Sequence, residues 1–213
     1  MINCYAFAAV PPFAQGLVRD LRVRWALEEA GLRYRITLVG EGEGAMPRAS
    51  YRSIQPFGQI PAIEDGDFAL FESGAIVFYI AERSGALLPE DPSARAHVIQ
   101  WMFASLNTIE MPVQELAAID LFYFEESWAK LRRPAVVEAV RTRLAQLAAC
   151  LNERDHLVGP FSAADILMTS VLRILRHTEL IAEQPVLAAY KDRCEARSAF
   201  KKALADQMAT FGA

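Results

Sequence analysis

Gln55-Pro-Phe-Gly-Gln-Ile-Pro-Ala-Ile63, followed by Phe71-Glu-Ser-Gly-Ala-Ile-Val-Phe-Tyr79, is the stretch on which the fold turns. Pro61 falls where a strand should begin. A missing N–H is tolerated at that place, and an X-Pro bond adopts either isomer at modest cost. An ordinary trans proline at a strand edge is the plain alternative. Ile60 to Glu64 and Phe68 to Phe71 flank Asp65-Gly66. An Asp-Gly pair between two such segments predicts a hairpin, because glycine accepts the positive φ of the turn. A helix over 73–83 follows, opening at Glu72-Ser73. Free N–H groups and the positive dipole end at a helix start favour an anion. The competing reading is capping, with Ser73 as N-cap and Glu72 as a partner of the helix dipole.

Upstream, Ile2 to Phe7 reads as a buried strand, stopped by Pro11-Pro12. Leu17 or Val18, Leu21 and Trp25 recur at helical spacing over 14–30, and Gly31 ends that helix. Tyr34 to Val39 alternates as a strand does, and Gly40 to Met46 is loop. The order is β-α-β, a long connection, then β-β-α. Downstream, 84–91 is a linker containing Gly85 and Pro89, and Asp91-Pro92 supplies an N-cap with proline at the first helical position. No strand is expected beyond it. Helices are expected near 92–118, 134–153, 162–180, 185–195 and 198–209, with Pro134 and Pro185 at helix starts. Ser162 and Asp165 have capping-box spacing, flanked by Phe161 and Ile166 as a hydrophobic staple, which is a structural device. The expected architecture is a small α/β domain over 1–83, the linker 84–91, and an all-helical domain over 92–213.

A net charge of -4 without a long basic block argues against a nucleic-acid partner. Cys4, Cys150 and Cys194 are widely spaced and odd in number, which fits a reducing compartment rather than a disulfide framework. Met1 to Ala14 lacks a basic region and does not read as a signal peptide. No apolar run is long enough to span a membrane. A cytoplasmic protein without membrane partner is expected. His97, His156 and His177 are scattered, so no metal site is expected.

In order and spacing, Gly58-Gln-Ile-Pro61, Glu72-Ser-Gly-Ala-Ile76 and Val23-Arg-Trp-Ala-Leu-Glu-Glu-Ala-Gly31 resemble the cytosolic glutathione transferase family, over nearly the whole chain. That resemblance implies a thioredoxin-like N-terminal domain binding glutathione as co-substrate, a helical second domain, and a homodimer. It implies a cis bond at Pro61 and a backbone pair between Ile60 and the cysteinyl amide of the tripeptide. Glu72 and Ser73 would bind its γ-glutamyl end, and Gln59 stands near the glycyl carboxylate. The chemistry is coherent. Strand-like pairing orients a flexible peptide, a helix N-terminus and hydroxyl suit a carboxylate, and Glu72 suits an ammonium. The implied activity is detoxifying conjugation of the glutathione thiolate to a small, hydrophobic electrophile. A glutathione-dependent disulfide reductase or isomerase, or a non-catalytic glutathione-binding protein, is the alternative on the same fold.

The family lowers the thiol pKa with Tyr, Ser or Cys near the start of its first helix. Phe7 to Asp20 contains none of these. Arg19, as positive potential, and Gln15, as an amide donor, are the substitutes, each with a bland alternative as a solvated or loop residue. Tyr5 and Cys4 read as core. For the second substrate, Trp101, Ser105, Met111 and Tyr123, with Phe122 and Phe124, are candidate wall residues. Core or dimer contact is the other reading of the aromatic run.

Overall fold

The computed structural model describes residues 1–41, 44–152 and 154–211. Four strands, β1 (Ile2–Phe7), β2 (Tyr34–Val39), β3 (Ala62–Asp65) and β4 (Phe68–Phe71), are joined by α1 (Asp20–Glu29) and α2 (Arg48–Tyr51) and closed by α3 (Ser73–Ser84). There follow α4 (Pro92–Phe103), α5 (Glu110–Leu121), α6 (Ser127–Leu151), α7 (Ala163–Arg173), α8 (Pro185–Glu195) and α9 (Ser198–Phe211). The chain forms two compact units. One takes Met1–Pro89 with the residues from Arg197 onward, the other Glu90–Ala196.

In the first unit the sheet order is β2-β1-β3-β4. β1 and β2 run parallel, while β3 is antiparallel to both β1 and β4. This is the expected thioredoxin-like arrangement. α1 starts later than its periodicity predicts. Residues Pro12–Ala14 make a single 3-10 turn, and Gly16 at φ 75° interrupts the path before Asp20. The two fixed proline φ angles and the left-handed glycine exclude a continuous helix there.

Every residue of α1 from Asp20 to Leu27 is buried. A helix buried all round needs cover on two sides, and the second cover is α9. The Trp25 and Phe200 rings meet edge to face at 4.8 Å. Arg197 forms a two-pronged pair with Glu29 at 2.6 and 2.8 Å. Gln207 Nε2 donates to Asp20 Oδ1 at 2.7 Å and to the Val18 carbonyl at 3.1 Å. The last helix, expected in the all-helical domain, therefore packs with the α/β unit. Its apolar stripe was readable, but a stripe does not name the surface that covers it.

In the second unit, Asp91 Oδ2 caps α4 by accepting from the Ala94 N–H at 2.8 Å. The helix expected over 92–118 is interrupted by a π-helical segment, Ala104–Ile109, before α5. Pro112, which offers no N–H to the carbonyl one turn back, lies just beyond this widening. Pro134 lies inside α6 rather than at its start, because extended Glu126 opens the helix earlier. The lost backbone bond falls beside Arg132 and Arg133, which pair with Glu115 and Asp120 of α5. α7 begins at the expected capping box. The buried Asp165 carboxylate accepts from the Ser162 N–H and hydroxyl, the Leu157 N–H and the Tyr190 hydroxyl, each at 2.9 Å.

Asp165→Ala removes the common acceptor of four buried donors. It is expected to destabilise the protein by about 2–4 kcal/mol in urea unfolding. A loss under about 0.5 kcal/mol would show that this network carries no fold stability.

Candidate functional site

The antiparallel registers decide what meets at one end of the sheet. Cys4 pairs with Ile63, and Ala62 pairs with Phe71. Continued in register beyond the strands, by two residues from Cys4–Ile63 and by one from Ala62–Phe71, the ladders bring Pro61 level with Ala6 on one side and Glu72 on the other. The end of β1, the entry to β3 and the start of α3 thus share one row.

The Ile60–Pro61 bond is cis. Ile60 is buried in a cluster with Tyr5, Val39, Tyr51 and Ala62, against which Val18 packs. Its side chain is committed to the core, so its backbone is the part available to a peptide-like ligand. The loop before it turns at Gly58, φ 66°, whose N–H donates to the Gln55 carbonyl at 2.9 Å. The Arg52 guanidinium lies 3.6 Å from where a Gly58 β-carbon would stand. The Tyr51 hydroxyl donates to the Gln59 carbonyl at 2.8 Å, while the Gln59 side chain is exposed.

Glu72 occupies the N-cap of α3 at φ 71° and ψ 113°, and its side chain makes no cap bond. Such a backbone costs a non-glycine residue about 1–3 kcal/mol and is concentrated at functional sites. Ser73 is therefore the first helical residue and not the cap, which corrects the capping reading. The reason is local: β4 ends at Phe71, and the chain must reverse through a single residue. Ser73 is buried, and its Oγ accepts from Arg22 Nη1 of α1 at 3.1 Å. Glu72 is exposed beside it. The opening of α3 thus carries a carboxylate residue, a hydroxyl and first-turn N–H groups, and the Arg22 guanidinium of α1 reaches the hydroxyl.

Gln15 and Arg19 lie on the connection into α1, both half-buried. Gln15 follows the 3-10 turn, and Arg19 is the N-cap of α1. Val18 ties this segment to the Ile60 cluster. Tyr5 donates to Glu64 Oε2 at 2.6 Å, and burial together with that carboxylate pushes its phenol up to about 12. Cys4 is fully buried, and burial drives its thiol far above the ordinary range. Both are buried core residues.

Of the residues expected to wall a second substrate, Ser105 is buried and donates to the Trp101 carbonyl at 2.7 Å, inside its own helix. Met111 is exposed, and the exposed Tyr123 ring stands 5.3 Å from Trp128. Among the described residues no cluster of three or more His, Cys, Asp or Glu side chains could hold a metal ion. No helix among them is long and apolar enough to cross a membrane. A groove of about 570 Å³ opens elsewhere on the first unit, among α1, β2 and α9, lined by Leu27, Leu32, Arg33, Ile36 and Lys202.

Arg22 and Tyr51 were not singled out from sequence. Arg22 sits between Leu21 and Val23 and reads as a solvated helix-face charge. Its burial, on the side of α1 that reaches Ser73 of α3, is not readable from the helix alone. Tyr51 precedes the deciding stretch, and nothing local marks its hydroxyl as the prop of Gln59.

Residues 15–82 match the family model described as glutathione S-transferase, N-terminal domain. Glutathione S-transferase F14 of Arabidopsis thaliana is 30% identical over 202 residues, covering 84% of this chain and 76% of the relative. The disulfide-bond oxidoreductase YfcG of Escherichia coli is 42% identical over 84 residues, which is 36% of this chain and 39% of that one. A glutathione transferase family member from Pseudomonas fluorescens, solved with two glutathione bound, superposes with a TM-score of 0.83 at 28% identity, over 95% of this chain and 92% of that one. Strand order, site row and relatives agree: the chain belongs to the glutathione S-transferase family of enzymes.

Proposed function

We propose that this protein binds glutathione beside Ile60–Pro61 and transfers its thiolate to a small, hydrophobic electrophile. The observation that carries this reading is Ser73, first residue of α3 and hydrogen-bonded by Arg22, at the end of the sheet toward which the β1–β3–β4 ladders bring Pro61. The cysteinyl amide pairs with the Ile60 backbone, as a strand does at a free edge. The γ-glutamyl carboxylate is received by the Ser73 hydroxyl and the first-turn N–H groups of α3, and its ammonium by Glu72. Gln59 addresses the glycyl end. Arg19 and Gln15 supply the positive potential or amide donor that favours thiolate over thiol. Met111, Tyr123 and Trp101 of the second unit offer apolar and aromatic surface suited to the electrophile. No metal takes part. The implied homodimer and cytoplasmic setting belong to the same proposal.

A second reading is favoured by one observation. The 42% identity to a disulfide-bond oxidoreductase falls on 84 residues. On that reading the bound thiolate attacks the glutathione sulfur of a mixed disulfide, forming glutathione disulfide and releasing the other half as a thiolate, with no conjugate formed.

Glutathione titrated into the protein is expected to release heat, and aryl halides, epoxides, isothiocyanates and peroxides, tried beside a glutathione mixed disulfide, separate the two readings. Conjugates support the transferase, disulfide turnover without conjugates supports the reductase, and uniform background rates contradict both. Glu72→Gly gives a second test. It relieves the strained backbone, so the protein should gain about 1 kcal/mol in unfolding, while glutathione affinity falls about tenfold with the lost carboxylate. A variant that is both less stable and equally avid would contradict the role assigned to Glu72.

A further inference from the structure

We propose that Arg22 is a positioning residue that makes this site select a ligand head group with a free α-carboxylate, acting through the Ser73 hydroxyl. The inference rests on the glutathione reading above and adds the residue that sets which way round the zwitterionic head sits.

A hydroxyl has one proton and two lone pairs. At Ser73 one lone pair is taken by Arg22 Nη1 at 3.1 Å, with both side chains buried. The hydroxyl proton cannot point at a donor, so it is turned away from α1. Accepting from a cation also strengthens a hydroxyl as a donor to the next group. Ser73 is the first residue of α3, whose opening N–H groups carry the positive end of the helix dipole. Hydroxyl, dipole and guanidinium therefore all present positive character to the same point, in surroundings where charge is poorly screened. A carboxylate is attracted there and an ammonium is repelled. Exposed Glu72, one residue earlier, has the opposite preference. The pair fixes a polarity along the head group: carboxylate at Ser73, ammonium at Glu72.

The guanidinium is itself held rigidly. It stands on α1, which is buried from Asp20 to Leu27 and clamped by α9 through Gln207 and Arg197. A substitution at Arg22 changes what Ser73 offers without touching the Ile60 backbone.

The test compares Arg22→Met and Arg22→Lys with the parent protein, using glutathione and its analogue lacking the γ-glutamyl α-carboxylate. The parent is expected to bind glutathione at least about tenfold more tightly than the analogue, one charge-assisted contact being worth that factor. Arg22→Met should lose about tenfold for glutathione, through KM with kcat little changed, and nothing for the analogue. Arg22→Lys should recover most of the loss, because a cation is kept near the hydroxyl. Equal binding of both ligands by the parent overturns the inference even if no variant folds. So does an equal loss of both ligands in Arg22→Met, which marks a merely structural role. A parent that binds neither ligand overturns the glutathione reading, and this inference with it.

Discussion

The antiparallel ladders from β1 through β3 to β4 are the constraint on which the site depends. Because Cys4 pairs with Ile63 and Ala62 pairs with Phe71, the ladders lead the end of β1, Pro61 and Glu72 to the same end of the sheet. A slip of one residue between β1 and β3 would turn Ile60 out of the Tyr5–Val39–Tyr51 cluster and reverse the faces of the β3 side chains. The burial of Ile60 and Ala62 is thus what fixes the register, and the register is what places a peptide edge beside a helix start.

The second dependency runs through α1. It carries Arg22 on the side of α3 and meets α9 through Trp25 and Glu29. Burying arginine is costly unless it is paired or hydrogen-bonded. Arg24 illustrates the ordinary solution, an ion pair with Asp20 at 2.7 Å in which both partners are buried. Arg22 gives one of its donors to a hydroxyl at the site. Arg22 is buried on the side of α3, whereas α9, remote in sequence, covers the side of α1 that carries Asp20 and Arg24. The same helix α9 holds the segment that carries Gln15 and Arg19 as well, through the bond from Gln207 to the Val18 carbonyl.

Much of this was legible in the residues. The Asp65-Gly66 turn, the proline at a strand entry and the helix from Ser73 follow from turn chemistry and local propensity, which act over a few residues. So does the Ser162–Asp165 capping box. What escaped depends on partners distant in the chain. The late start of α1 depends on the left-handed turn at Gly16, and glycine permits that conformation without requiring it. Ser73 was readable as a cap until the backbone of Glu72 was known. Pro134 looked like a helix start because its cost inside a helix is ordinarily prohibitive, and here the surrounding pairs to Glu115 and Asp120 support it. Arg22 is the clearest case. An arginine on an amphipathic helix reads as solvated unless one knows that a second helix lies over it.

The most direct measurement is a crystal structure with glutathione bound. The account predicts an extended tripeptide paired with the Ile60 backbone, its γ-glutamyl carboxylate within about 3 Å of Ser73 Oγ and its ammonium turned to Glu72. Glutathione lying instead in the groove among α1, β2 and α9, or bound with its head group reversed, would contradict it.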